Sequence, residues 1–383
     1  MTPYAVTTNG NEQRHRLTLH DLCNRGVCLS QKTYFRIISG EATGLIGEAA
    51  RMVLTALSWP YEAVVRVRNH LYASGRLKTH TVGVPVICVG NLTTGGTGKT
   101  PLVVWLCRYL QPKRIGCSIL TRGYKTREGE ASDEPALLAA QCPGAAVIVN
   151  PDRVAGAAEA ICHHDAQVLV MDDGFQHRRL SRDLDIVAID ATRTFGYGRI
   201  LPAGLLREPV TGLRRAHAVV LTRCDQVSAD TLKRIEEDLR RIHPDLVVAR
   251  SVHAPVGITT LTGTEIQVEQ LRGQRIFAFC GIGNPKSFFH MVEQAGAVLV
   301  GSAVYDDHYR YTVDDLERIY RKAARRKASL ILTTQKDWTK AAPLASPGEP
   351  SLACLAVELQ ITAGQPQLTA LIDRALGGTM PHR

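Results

Sequence analysis

An apolar, β-branched run ends at Gly90, a glycine-rich loop follows, and a helical pattern opens at Lys99-Thr100. This stretch, PVICVGNLTTGGTGKTPLVVWL from Pro85 to Leu106, constrains the chain more than any other. The backbone N–H groups of Thr93, Thr94, Gly95, Gly96, Thr97 and Gly98, with the following helix N-terminus, form a cradle for phosphate oxygens. Lys99 then reaches the β- and γ-phosphates, and the Thr100 hydroxyl ligates Mg²⁺. The standard loop has a glycine where Thr93 stands, but Gly95, Gly96 and Gly98 keep this one permissive. A chance GKT in an ordinary loop has the same string, and the strand–loop–helix context separates the two.

From Val84 onward, apolar runs alternate with helical stretches. The strands expected are Val84–Val89, Cys117–Thr121, Ala146–Val149, Val168–Met171, Ile186–Ile189 and Ala218–Thr222, then Ile276–Cys280, Val298–Gly301 and Leu330–Thr333. Such alternation predicts a parallel sheet with helices on both faces. The fold class expected is α/β, a P-loop NTPase-type doubly wound parallel sheet with a smaller C-terminal α/β lobe. At 383 residues the chain has room for both. The divisions expected are a polar, disordered tail over 1–35, amphipathic helices over 36–80, a core over 81–255, and the C-terminal lobe with its linker over 256–383. The run TFGYGRILPAGLLREP from Thr194 to Pro209 is rich in Gly and Pro and predicts a long mobile loop.

The net charge of +10 suggests an anionic partner. Residues 1–84 hold ten Lys and Arg against five Asp and Glu. Within them Ile46, Ala50, Val53 and Leu57 share a helical face. Trp59-Pro60 is expected to break that helix, and a second one brings Val64, Val67 and Leu71 beside Arg66 and Arg68. A basic amphipathic pair of this kind lies in a membrane interface, and the same pattern suits a surface helix packed on the core. No signal peptide is visible, and the charge-free stretch Met52–Tyr61 is about half the ~20 residues of a membrane span. The ten cysteines are scattered, without disulfide or zinc spacing, and several sit in apolar runs as reduced thiols do. The chain reads as cytosolic.

A second phosphate-handling element is AQVLVMDDGFQHRR, Ala166 to Arg179. An apolar strand ending in an acidic residue is what a P-loop enzyme uses to hold Mg²⁺, with Asp172 as first candidate and Asp173 as second. Strand-end aspartates also cap turns and helices.

At this point the chain resembles a family. The loop GNLTTGGTGKTP, TRGY at Thr121–Tyr124, SDEP at Ser132–Pro135 and NPDR at Asn150–Arg153 occur in order. DDGFQHRRLSRDLDI at Asp172–Ile186, LPAGLLREP at Leu201–Pro209, DDHYRYT at Asp306–Thr312 and TTQKDWTK at Thr333–Lys340 follow. Together they look like the tetraacyldisaccharide 4'-kinases, whose loop also departs from the standard pattern at Thr93. The resemblance implies transfer of the ATP γ-phosphate, with Mg²⁺, to the 4'-hydroxyl of a tetraacylated glucosamine disaccharide 1-phosphate, giving lipid IVA in lipid A biosynthesis. It implies a peripheral enzyme on the cytoplasmic face of the inner membrane, touching the membrane surface through residues 41–78. It also implies a carboxylate–histidine pair as base, mapping by motif to Asp133 and His308. Asp133 also suits a helix N-terminus, and His308 a solvated loop. Arg122, Arg153 and Arg207 are candidates for clamping phosphates, and each also suits a structural ion pair. Tyr124 belongs to the same supporting set, and Gln176 and His177 are expected to orient the acidic pair.

One stretch favours a regulatory P-loop GTPase instead. Val219–Asp225 is an apolar run ending in TRCD, close to the guanine-reading [NT]KxD, with Arg223 where lysine belongs. No DxxG follows the first acidic motif at the right place, because DDGF has its glycine one residue early. No nucleic-acid partner is expected, since the basic residues are not interleaved with aromatics and no binding motif occurs.

Overall fold

Val86 and Cys88 face one side of their strand and Ile87 and Val89 the other, yet all four are buried. Such a strand is covered on both faces, as a parallel sheet between two helical layers requires. The computed structural model describes residues 31–123, 133–307 and 309–378. Of the tail expected over residues 1–35, residues 1–30 lie outside them, as do Tyr124 and His308, and residues 31–35 belong to a helix.

In chain order, α1 (Gln31–Ile38) and α2 (Leu45–Ala73) precede β1 (Val86–Gly90), α3 (Lys99–Leu110), β2 (Cys117–Thr121) and α4 (Asp133–Gln141). Next come β3 (Ala146–Val149), α5 (Arg153–His163), β4 (Val168–Asp172), β5 (Leu184–Asp190) and β6 (Ala218–Thr222). The second half holds α6 (Ala229–Ile242), β7 (Val247–Thr260), β8 (Glu265–Ile266), β9 (Arg275–Cys280), α7 (Pro285–Gln294) and β10 (Val298–Val304). It closes with α8 (Val313–Arg325), β11 (Leu330–Thr334), α9 (Gln335–Ala341), β12 (Ser351–Ala363) and α10 (Gln365–Leu376).

One sheet runs β10-β9-β11-β12-β7-β6-β5-β1-β4-β2-β3, with β8 added to β7. All pairings are parallel except β7 with β12 and with β8. β1 sits between β4 and β5, so the chain winds away from it on both sides. A cleft opens at the carboxyl ends of strands at such a switch point. Helices α5 and α6 cover one face, against Cys88, Leu169 and Val219. The other face is covered by α3 and, from the far end of the chain, α10. The second half repeats this sandwich, with Phe288 and Val292 of α7 on one face and Leu316 and Ile319 of α8 on the other.

Each strand expected from an apolar run forms. Two long strands, β7 and β12, were not legible as runs. Residues Ala249, Ser251 and His253 make the buried face of β7, so its alternation is not an apolar one. These two strands pair antiparallel from Ala353↔Thr260 to Ala363↔Arg250 and carry the sheet from one half into the other.

Two local expectations change. The helix does not break at Trp59-Pro60: α2 runs 29 residues with Pro60 inside. An interior proline costs about 3 kcal/mol. Against it stand the burial of Ser58 and Val65 and several anchoring hydrogen bonds, each worth about 0.5–1.5 kcal/mol. Ser58 Oγ donates to Ile200 O (3.1 Å), Ala203 N donates to Ser58 Oγ (3.0 Å), and Tyr61 Oη donates to Arg207 O (3.0 Å). The same contacts explain the second change. Residues 194–209 are packed rather than loose, with Ile200, Leu205, Leu206 and Glu208 buried. Their backbone is also paired, Thr94 N to Leu205 O and Arg207 N to Leu92 O. No helix among the described residues is long and apolar enough to cross a membrane.

Candidate active site

The loop after β1 is shaped by what lies beneath it. Gly98 is left-handed, with φ +87°, and a Cβ there would come within 3.1 Å of both His253 and Thr222. A side chain is excluded twice, by conformation and by space. Thr222 Oγ1 donates to Thr97 O (2.9 Å) and Asn91 Nδ2 donates to Thr97 Oγ1 (3.0 Å), so β6 and the end of β1 fix the loop from below. From above, the turn 281–284 closes on it. A Cβ on Gly283 would lie 2.7 Å from Gly96 N.

Residues Thr94 to Thr100 line a cleft of about 1010 Å³ at the carboxyl edge of the sheet. Thr93 does not line it, because its backbone bridges to Leu206. Also lining the cleft are Arg122, Arg153, Asp172, Asp173, His177 and Arg207, which stood far apart in the sequence. Lys99 and Thr100 open α3, so the ammonium and the hydroxyl sit in its first turn.

Asp172 ends β4 and is buried. Asp173 follows in a left-handed conformation, φ +50°, which Asp tolerates better than most residues. Two cations meet its carboxylate. Arg207 Nη1 donates at 2.9 Å to both oxygens, and Lys99 Nζ lies 3.5 Å from Oδ1. Burial works against the charged form of Asp173, but Lys99 and Arg207 outweigh it and hold the carboxyl below its usual range.

Arg153, a candidate phosphate clamp that also suited a structural role, lines the cleft and is tied to the backbone. It is buried, and its guanidinium donates to the carbonyls of Asn150 (2.7 Å) and Asp172 (3.3 Å). It thereby holds the end of β4. Arg122 is exposed at the end of β2 and stays available to the cleft. His177 is pushed down to about 4 by burial and by Arg153 and Arg182, so it is neutral near pH 7. His253 is pushed down to about 3 by burial and by Arg223. Neither ring adds positive charge beside the loop.

The base candidates are less fully placed. The backbone of Asp133 opens α4, but its side chain lies outside the described residues, as do Tyr124 and His308. Asp307, the chain neighbour of His308, lines the cleft and accepts from Lys336 Nζ at 2.9 Å.

Sequence reasoning missed Glu208, which is fully buried and accepts from Gln176, Arg215 and Asn69. Its place beside Arg207 in LPAGLLREP was the available signal. It also missed His253, for which a single histidine in a mixed strand gives none. The TRCD stretch runs on from the end of β6. Arg223 is left-handed and buried, and donates to Asp190 Oδ2 (2.5 Å) and Ser287 Oγ (3.0 Å). It joins the two halves of the molecule, so the residue in the position of the base-stacking lysine is committed to a structural pair.

The chain matches the family model described as tetraacyldisaccharide-1-P 4'-kinase over residues 50–377. Curated relatives named tetraacyldisaccharide 4'-kinase include one from Syntrophotalea carbinolica, 38% identical over 80% of this chain and 87% of the relative. Another, from Anaeromyxobacter sp. strain Fw109-5, is 37% identical over 82% of this chain and 89% of the relative. Among solved structures, the "apo" form of LpxK from Aquifex aeolicus in complex with ATP superposes with a TM-score of 0.65. That structure is 29% identical, and the match covers 85% of this chain and 99% of the other.

Proposed function

The chain belongs to the tetraacyldisaccharide-1-P 4'-kinase family, an enzyme family acting on the lipid A disaccharide 1-phosphate, and from that premise we propose how its residues divide the work. ATP binds with its phosphates on the loop Thr94–Thr100. The observation that carries this reading is the convergence of Lys99 and Arg207 on Asp173 at the mouth of that loop. Phosphoryl transfer needs in-line positioning and charge neutralisation more than covalent chemistry. A charged cluster already ordered there supplies both at little reorganisation cost.

The donors fit Mg²⁺. The Thr100 hydroxyl and the Asp172 and Asp173 carboxylates are all hard oxygen ligands facing one cleft. Among the described residues, no group of three His, Cys, Asp or Glu is placed to hold a metal. Mg²⁺ needs no such cage, because one or two carboxylates and substrate phosphates suffice. When bound, it neutralises charge on the β- and γ-oxygens. Lys99 stabilises the same oxygens, Arg207 holds Asp173 in its rotamer, and Arg153 fixes the strand end beneath. Arg122, exposed on the cleft lining, clamps a phosphate. Asp133, assisted by His308, accepts the 4'-hydroxyl proton.

The acceptor is a lipid, and α2 offers a surface for its membrane. Leu45 is 86% exposed, Ile46 88%, and Trp59 and Val64 about two-thirds. A large apolar face left uncovered next to a basic edge is the pattern of an interfacial helix. This supports membrane contact through residues 41–78; the cytoplasmic face of the inner membrane, where ATP is available, and the lack of a nucleic-acid partner complete the reading.

The test is an assay with purified tetraacyldisaccharide 1-phosphate, ATP and Mg²⁺, following γ-phosphate into lipid. Transfer to the 4'-position is expected. Tight GDP binding without ATP turnover would sink the kinase reading.

A further inference from the structure

Helix α2 has a polar edge as well as an apolar one. Arg199 Nη1 donates to Thr55 Oγ1 (3.1 Å), Ser58 holds Ile200 and Ala203, and Tyr61 holds the Arg207 carbonyl. One turn beyond the buried Val65, Asn69 Nδ2 donates to Glu208 Oε2 (3.1 Å). These positions fall on one helical edge at spacings of three and four, and all grip residues 199–208.

The last of these contacts leads into the site. Glu208 is fully buried, and its second oxygen accepts from Gln176 Nε2 (3.0 Å). Gln176 Oε1 faces Arg207 Nη1 at 3.5 Å, the Arg207 nitrogen that bridges Asp173 beside Lys99. The amide of Asn69 is oriented for this. Arg68 Nη2 donates to its Oδ1 (3.3 Å), which leaves Nδ2 for the carboxylate. Arg178 Nη1, from the segment between β4 and β5, fixes the Asn69 carbonyl (2.7 Å). A buried carboxylate keeps its rotamer only while its donors stay in place. Removing one of the three lets Glu208 and its Gln176 partner reorient.

We propose that Asn69 is a positioning residue for phosphoryl transfer: from the membrane-facing helix it fixes Glu208, and through Glu208 and Gln176 the Arg207–Asp173 pair beside Lys99. The helix is then part of the active-site scaffold as well as a surface for lipid. This rests on the kinase reading, and wild-type turnover in the same assay tests that reading separately.

The experiment is a double-mutant cycle on the full chain, with substrate in detergent micelles and vesicle co-sedimentation measured alongside. Asn69→Ala is expected to lower kcat by about tenfold, as loss of a supporting contact typically does, with KM for ATP and vesicle binding within twofold of wild type. In an Arg207→Ala background the same change should cost less than twofold, because the group it positions is gone. Asn69→Asp is nearly isosteric and preserves the helix, so it serves as the second variant if the alanine form melts below assay temperature. It should follow the same cycle with an equal or larger first loss. A kcat within twofold of wild type overturns the proposal, as does an equal loss in both backgrounds or a loss that tracks vesicle release.

Discussion

Removing the Lys99 ammonium leaves Asp173 with one cation instead of two and, on the proposed function, removes a donor to the transferred phosphoryl group. Lys99→Ala is therefore expected to lower kcat by at least about 10²-fold, and Asp172→Ala likewise. Steady-state kinetics with near-normal turnover in either variant would remove that residue from the site. His253 makes a prediction about pH. Its folded pKa of about 3 lies below the unfolded value, so the unfolded chain binds the extra proton as pH falls. The stability that goes with the neutral ring is complete above about pH 6.5 and declines toward pH 3. Between pH 6.5 and 5 the loss is about 2 kcal/mol. His253→Gln should flatten the fall in melting temperature between pH 7 and 5, and an unchanged slope would show that the ring is not kept neutral. The histidine could be read in the sequence, but its burial could not, because burial arises where β6, β7 and the phosphate loop stack.

Among the elements, α2 and the 281–284 turn both line the cleft. Replacing Ile46 or Leu57 with Asp removes apolar surface worth about 2 kcal/mol each in a membrane interface, roughly thirtyfold in vesicle partitioning. Vesicle binding that survives both changes places the membrane surface elsewhere. Gly283→Ala forces a methyl to within 2.7 Å of Gly96 N, so the turn or the loop must move. Overpacking of this kind costs about 1–3 kcal/mol, and the expected readout is a rise of about tenfold in KM for ATP. The strands of the first half were legible because they are buried on both faces and read as unbroken apolar runs. β7 was not, because its buried positions hold Ser251 and His253 and its middle holds Pro255. Pro60 misled for a related reason. Local propensity marks a helix end there, and contacts with residues 200–207, about 140 positions away, override it.

At the scale of the whole molecule, a buried polar cluster ties the two halves together. Arg223 joins Asp190 at the end of β5 to Ser287 on α7, and Asn284 Nδ2 adds a bond of 3.3 Å to the same Asp190 oxygen. Arg223→Ala leaves a buried carboxylate without its cation, a loss of about 3–5 kcal/mol. Thermal melting should show it directly, and a shift under about 1 kcal/mol would mean that the pair adds little to the junction. The last helix, α10, packs on the first half beside α3, so truncation before Gln365 should expose Leu102 and Leu106 and destabilise the nucleotide-binding core.

By itself the sequence determined the parallel α/β sheet, the phosphate loop, the acidic strand end and the family, because each is written in residues adjacent along the chain. Apolar runs, glycine spacing and short motifs are local, and local patterns survive without knowledge of the fold. The tertiary structure alone decided that Arg207 meets Asp173 and Lys99, that Arg153 braces a strand end, and that Arg223 joins the two halves. It also decided that His253 lies under the loop and that α2 passes through its proline to hold Glu208. All of these depend on which distant segments the sheet order and the packed 199–208 segment bring within a few ångströms. Desolvation and pairing of charge are set by that proximity.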